Sequence, residues 1–310
     1  MNLRIGSRGS QLALWQANHI AGLLRTQGHN IEIEIIKTTG DRLQGVTFAQ
    51  VAEQSGTTKG MFTKEIEEAL AEGTVDLAVH SLKDLPTELP KGFALAATPK
   101  RVDPRDALVS VNHENLAALP QGAKVGTSSQ RRRAQLKALR PDLEAVEFRG
   151  NVDTRLRKLA EGQVEAVLLA AAGLDRLGRT DWIRQRLSPA DFCPAAGQGA
   201  LGIETRLGDV DTLAALAFLD DAETRFAVTA ERTALAALGG GCQVPIGVYC
   251  RFTELEVIEI FAVVADPVNG GAIRVHEQIS KHGADPVALG QLMADMLKEE
   301  GAAKLLGATE

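Results

Sequence analysis

The sequence predicts an α/β protein over its first two thirds, followed by a smaller α+β module. Three observations carry the prediction. Short apolar runs alternate with segments of helical periodicity through the first two thirds. From about Asp220 the pattern changes to one helix, three alternating strands and a closing helix. Between these regions lie two Pro/Gly punctuation points, near residues 100–105 and 194–204, which read as paired crossings of the chain. The expected organisation is a discontinuous first βα domain over 1–99 and 200–219, a second over 100–199, and a third domain over 220–310.

The elements follow in order. "LRIGS" is a short apolar strand. Ser10 is a natural N-cap for a helix that sets Leu12, Trp15, Ile20, Leu23 and Leu24 near one face and stops at Gly28. "IEIEII" alternates as a strand, and a polar stretch from Thr38 to Lys59 reads partly as a flap. "TKEIEEALAEG" has Thr63 as cap, acids in its first turn and Gly73 as stop. "VDLAVHS" is the next strand, with "SLKDLP" as its exit. "AKVGTSSQRRRAQLKAL" reads as strand, Ser-rich turn and helix, and "LEAVEFRGNVDTRLRKLAEG" repeats that plan. "VEAVLLAAAG" is a buried strand by its continuous apolar run. After the helix "ETRFAVTAERTALAAL" come the strands "VPIGVYCRF", "LEVIEIFAVVA" and "GAIRVHEQIS", the last two joined by "DPVNGG". Asp285 caps the closing helix with Pro286 in its first turn.

Composition narrows the function. The chain has 310 residues, 45% hydrophobic and only 4% aromatic, which fits a soluble globular protein of two or three domains. It holds no apolar run of about 18 residues and opens without a charged-then-apolar leader, so a cytoplasmic, non-membrane protein is expected. Cys193, Cys242 and Cys250 form no CxxC pair, and the histidines show no ligand spacing, so neither disulfides nor a bound metal are expected. Net charge is −6, yet residues 124–158 carry ten Lys/Arg against four Asp/Glu. A basic island on an acidic chain points to a focused anion site.

Three strand-to-helix turns combine arginine with hydroxyl groups or with a second arginine: Arg8 with Ser10; Thr127, Ser128 and Ser129 with Arg131 and Arg132; Arg149 with Arg155. Helix N-termini offer unpaired N–H groups, and guanidinium forks suit carboxylate or phosphate. Any one of these arginines can instead simply solvate a helix face. "HSLKDLP" puts Ser81, Lys83 and Asp84 at a strand exit, where Lys83 and Asp84 could be an ordinary surface pair. Among so many cations Asp84 would have to meet positive charge formed during a reaction. His80 reads as a packed core histidine. Cys242 ends a run of three glycines, which is either a flexible turn or room for a large flat group close to the backbone.

The stretches "LALWQA", "KGMFTKE", "VDLAVHSLKDLP", "DPRDALVS", "VGTSSQRRRAQL", "RGNVDTRL", "AAAGLDRLG", "PAAGQGALGIE" and "GGGCQVPIG" together resemble the porphobilinogen deaminases, also called hydroxymethylbilane synthases. The resemblance implies a tetrapyrrole-pathway transferase, active in porphyrin and heme biosynthesis, with two periplasmic-binding-protein-like βα domains flanking a cleft. Its reaction joins four porphobilinogen molecules head to tail with loss of ammonia, then hydrolyses off linear hydroxymethylbilane. It further implies a dipyrromethane cofactor bound to Cys242 as a thioether, and Asp84 as the catalytic carboxylate. By the same resemblance Ser81, Lys83, Thr127, Ser129, Arg131 and Arg132 serve the cofactor. Arg8, Ser10, Arg149, Arg155 and Arg176 serve the substrate's acetate and propionate groups, Phe62 stacks near the incoming ring, and Lys59 belongs to the flap. Arg133 is not expected to be a ligand, because helical geometry turns it away from Arg132.

Two other classes compete with this reading. A cleft-type anion receptor would share the fold of the first two domains, but would lack a leader here and leave Cys242 without a role. A nucleic-acid binder would interleave aromatics with its basic residues, and only Phe148 lies within the island. The expected partners are therefore porphobilinogen and its oligopyrrole intermediates, with no nucleic acid, no membrane and a monomeric chain.

Overall fold

A computed structural model describes residues 1–39, 63–240 and 244–307. Lys59, Phe62 and Cys242, and with them most of the stretch read as a flap, lie outside the described residues. The chain begins with β1 (Asn2–Ser7), α1 (Gln11–Thr26), β2 (Asn30–Ile35), α2 (Lys64–Ala71), β3 (Leu77–Ser81) and β4 (Phe93–Ala97). There follow β5 (Asp106–Ser110), β6 (Lys124–Gly126), α3 (Gln130–Leu139), β7 (Glu144–Val146), α4 (Val152–Ala160), β8 (Ala166–Ala170), α5 (Ala171–Arg176) and β9 (Ile183–Arg186). Last come β10 (Leu201–Arg206), α6 (Val210–Leu216), α7 (Ala222–Ala237), β11 (Ile246–Phe252), β12 (Val257–Ala265), β13 (Ala272–Ser280), α8 (Pro286–Glu299) and α9 (Ala302–Gly307).

These elements form two compact units, Met1–Arg101 with Ala200–Asp221, and Val102–Gly199 with Ala222–Glu310. The first holds a five-stranded sheet in the order β2-β1-β3-β10-β4. Its β1, β2 and β3 run parallel, and β10 is antiparallel to β3 and β4. α1 covers this sheet with Gln16, Ala17, Ile20, Ala21 and Leu24, an i, i+4 stripe that continues into Leu3, Ile5 and Leu77. Burying each such Leu or Ile contributes about 1.5–3 kcal/mol. Trp15, expected on this face, is exposed and stacks on His19 at 5.0 Å, because the true stripe sits one residue further along.

The second unit holds two sheets. One is five-stranded, in the order β7-β6-β8-β5-β9, and the other is the expected antiparallel β11-β12-β13. The fold is thus mixed α/β with a C-terminal three-stranded antiparallel sheet, as the sequence predicts. α7 and α8 cover the three-stranded sheet through Ala230, Ala234, Leu289 and Met293. They meet closely at Gly290, where a Cβ would come within 2.4 Å of the Ala230 carbonyl oxygen. Ala134 of α3 packs with Cys193, Tyr249, Val263 and Ala265, joining the two sheets of this unit. Buried Glu231 of α7 adds a polar tie, accepting from the amides of Gly197 at 2.6 Å and Cys250 at 2.8 Å.

Several expectations change in detail. The run "VEAVLLAAAG" leaves the sheet at Ala170, and Ala171–Arg176 continues as a helix. Thr63 stands at the N-cap position of α2, but its side chain makes no capping bond. Strands β4, β5, β9 and β10 were not expected; β5 begins directly after the first crossing and β10 within the second. Asp285 does cap α8, its carboxylate accepting from Ala288 N at 2.7 Å. No helix among the described residues is long and apolar enough to cross a membrane.

Candidate active site

In the first unit, β1 and β3 are parallel neighbours, so the residues that follow them emerge at the same edge of the sheet. Arg8 and Ser10 follow β1, and Lys83 and Asp84 follow β3 in a 3-10 turn, Leu82–Asp84. The carboxyl ends of parallel strands are where open α/β sheets bind ligands. Ser10 caps α1, its hydroxyl oxygen accepting from Ala13 N at 3.3 Å. Ser81 accepts a 2.8 Å hydrogen bond from the buried Gln16 amide, so α1 also fixes the turn that carries Asp84. Asp84 itself is exposed, and among the described residues no cation pairs with its carboxylate. His80 lies beneath, buried and 3.0 Å from the fully buried Glu204 of β10, which is the packed role expected of it.

In the second unit the same rule gathers more residues. β6 is parallel to both β7 and β8, which places Thr127–Arg132, Arg149–Arg155 and Arg176 at one edge. Ser129 caps α3, accepting from Arg132 N at 3.4 Å, and Thr127 Oγ1 accepts from Ser129 N at 3.2 Å. Arg131 and Arg132 then stand in the first turn of α3, both nearly buried at 4% and 6% exposure. Such guanidiniums need partners, since a buried unpaired charge is very costly. They meet at Asp106, the first residue of β5, which is fully buried. Arg131 Nη1 donates to Asp106 Oδ2 at 2.6 Å, and Arg132 Nε donates to Oδ1 at 2.9 Å. Arg131 also donates to the Cys193 carbonyl at 2.6 Å, and Arg132 to that of Leu168 at 3.1 Å. The Gln198 amide completes the group, donating to Asp106 Oδ1 at 2.9 Å and to the Pro104 carbonyl at 2.7 Å.

Burial alone would raise the Asp106 pKa, but Arg131, Arg132 and the Gln198 hydrogen bond hold it far below the carboxylate range. Arg155 shows the opposite imbalance. Burial, then the nearby charges of Arg132 and Arg149, push its guanidinium down to about 10. Arg176 is likewise pushed down to about 10 by burial, and it donates to the Gly199 carbonyl at 2.8 Å. Arg149 donates to Glu147 Oε1 at 2.6 Å, and Arg133 reaches the other oxygen of that carboxylate at 3.4 Å. Positive charge thus exceeds negative charge along this edge, an arrangement suited to anionic ligands with several carboxylates. Cys193 and Cys250 are buried, and burial pushes the Cys193 thiol up to about 12, which makes it a poor nucleophile.

A family profile described as "porphobilinogen deaminase, dipyromethane cofactor binding domain" matches residues 3–214, and its C-terminal-domain counterpart matches 225–299. The porphobilinogen deaminase of Nitratidesulfovibrio vulgaris (strain Miyazaki F) is 47% identical over 308 residues, covering 98% of this chain and 96% of that one. That of Trichlorobacter lovleyi is 49% identical over 306 residues, covering 98% and 95%. The chain belongs to the porphobilinogen deaminase family. Among solved structures, a YaeC-family lipoprotein of Enterococcus faecalis aligns with TM-score 0.45 at 13% identity, covering 72% of this chain and 94% of that one. The methionine-binding protein MetQ aligns with TM-score 0.43 at 13% identity, covering 70% and 89%.

The residues present fit the dipyrromethane that the family's cofactor-binding domain is named for. Such a group carries acidic side chains, and the edge of the second five-stranded sheet offers Arg131, Arg132, Arg155 and two hydroxyl-bearing residues against few carboxylates. Asp106, Gln198 and Glu231 escaped the reading of the sequence. Asp106 opens its strand, whereas ligand-binding residues in α/β sheets are expected after strand ends. Because β5 is antiparallel to β8, pairing Asp106 with Ala170, its first residue arrives at the edge where the parallel strands finish. A buried acid at the head of "DALVS" was the signal available.

Proposed function

We propose that this chain carries out the porphobilinogen deaminase reaction with Asp84 as catalytic carboxylate and Cys242 as anchor of the dipyrromethane. The observation that carries this reading is the contrast between the carboxylates at two sheet edges that both carry cations. One presents the exposed carboxylate of Asp84, and the other buries that of Asp106 in a cluster of arginines with a net positive surplus. Ser81, Lys83, Thr127, Ser129, Arg131 and Arg132 would hold the cofactor. Arg8, Ser10, Arg149, Arg155 and Arg176 would take the acetate and propionate groups of substrate, with Lys59 and Phe62 assisting from the segment outside the described residues.

Each addition breaks the aminomethyl C–N bond of a porphobilinogen and releases ammonia. A new C–C bond forms at a free pyrrole α-carbon, which then loses its proton. Bound as a thioether, a dipyrromethane supplies the first such α-carbon. Positive charge develops on pyrrole nitrogen as ammonia leaves, and a fixed carboxylate accepting the pyrrole N–H stabilises it. The exposure of Asp84 supports this role, because among the described residues no cation pairs with its carboxylate. Growth of an acidic chain asks for more cations than one ring does, which the arginines of three separate turns meet. A three-domain organisation, a monomeric state, a cytoplasmic location, and the absence of nucleic-acid or membrane partners belong to the same proposal.

Intact-mass spectrometry tests it. The purified protein should exceed its sequence mass by a dipyrrole adduct that is lost in Cys242→Ser. A purified protein at its sequence mass would reject the cofactor assignment.

A further inference from the structure

We infer that Asp106 is a positioning residue for the cofactor-binding arginines, orienting Arg131 and Arg132 together at the start of α3 as a receptor for the acidic side chains of the pyrrole chain. The inference rests on the reading that Arg131 and Arg132 hold the cofactor.

The first turn of α3 is an unfavourable place for two cations. It carries no acid, and the helix N-terminus already adds partial positive charge. Both guanidiniums are withdrawn from water, so the pair cannot be held there by solvation. Asp106 resolves the conflict from outside the helix. Its Oδ2 takes Arg131 at 2.6 Å, and its Oδ1 takes Arg132 through both Nε at 2.9 Å and Nη2 at 2.7 Å. Gln198 fixes the rotamer of that carboxylate by bonding it and the Pro104 carbonyl with the same amide nitrogen.

One carboxylate between two guanidiniums leaves one positive charge in excess. Arg155 adds to it, and Glu147 is shared between Arg133 and Arg149. Asp106 thus orients the pair while setting one negative charge against its two positive ones. Donors fixed in advance, with charge left over, are what binding a carboxylate at low reorganisation cost requires. A purely structural ion pair between β5 and α3 would need only one arginine and would gain nothing from the surplus.

The test compares Asp106→Asn and Asp106→Glu with Arg131→Leu, reading the adduct-bearing fraction of the folded, monodisperse protein by intact mass. Gly290→Ala serves as a control, a backbone clash between α7 and α8 that lowers the melting temperature without touching the arginines. Asp106→Asn should cut adduct occupancy by on the order of 10–100-fold, as loss of supporting partners does at other sites. Asp106→Glu, which restores the charge, should recover part of it, and Gly290→Ala should stay fully loaded. Full occupancy in Asp106→Asn would overturn the inference, as would an equal loss in Gly290→Ala at matched melting temperature. Full occupancy in Arg131→Leu would instead overturn the reading of the arginines. Should Asp106→Asn fail to fold, Gln198→Met decides: it keeps every charge and frees the carboxylate rotamer. Slower loading of the apoprotein by porphobilinogen supports the inference, and unchanged loading overturns it.

Discussion

The first sheet, β2-β1-β3-β10-β4, and the second, β7-β6-β8-β5-β9, follow one plan. In each, three parallel strands stand beside an antiparallel fourth that the chain supplies on leaving one of its two crossings. Equivalent edges nevertheless hold their carboxylates at different depths. The first edge leaves a carboxylate, Asp84, in solvent, and the second buries one, Asp106, between two arginines. Depth decides what each acid can do. A buried, paired carboxylate orients its partners, whereas an exposed one remains able to answer charge that appears during reaction.

This contrast can be broken experimentally. Removing both arginines with Arg131→Leu/Arg132→Leu strips Asp106 of its cations and should cost about 3–5 kcal/mol of stability, read by denaturant unfolding. It should also leave the protein at its sequence mass; a stable, fully loaded double variant would erase the distinction between the edges. Asp84→Asn should be the reverse case, with native stability and a full adduct but turnover reduced by about 10²–10³. Normal porphobilinogen consumption by that variant would remove Asp84 from the mechanism.

Smaller effects sharpen the comparison. Gly199 adopts φ +87 and has no room for a Cβ, which would lie 2.6 Å from the Val102 carbonyl oxygen. Gly199→Ala should cost about 1–3 kcal/mol from backbone strain, with a further loss from the clash, measurable as a lowered melting temperature. Acid should report Asp106 selectively. Because its folded pKa lies below the unfolded value, its contribution is complete above about pH 3.9 and fades as pH falls further. Wild-type stability should therefore drop about 1.4 kcal/mol per pH unit more steeply below that point than stability of Asp106→Asn. Parallel acid limbs would mean that the carboxylate is not held as described.

Reading the sequence located most elements whose signal is local. Caps at Ser10 and Asp285 and the apolar alternation of β11–β13 need only neighbouring residues to be recognised. β5 and β10 escaped because each is a short run beside prolines or glycines whose partners lie far along the chain. Ala200, for instance, accepts from Leu82 N. The same limit applied within the site. Arginines and hydroxyls after strands were legible as an anion receptor, yet nothing local marks Asp106 as partner to residues 25 and 26 positions away.

The position of β10 inside the first sheet bears on how the chain is made. Among the described residues β4 pairs with no strand except β10, which is synthesised about a hundred residues later. Until it emerges from the ribosome, β3 keeps one edge open and His80 lacks the Glu204 that compensates its burial. The amino-terminal segment therefore cannot complete its native sheet during its own translation. It must wait, edge exposed, while the chain between the two crossings is made, and a gene fragment ending at Arg101 would encode a sheet without its fourth strand.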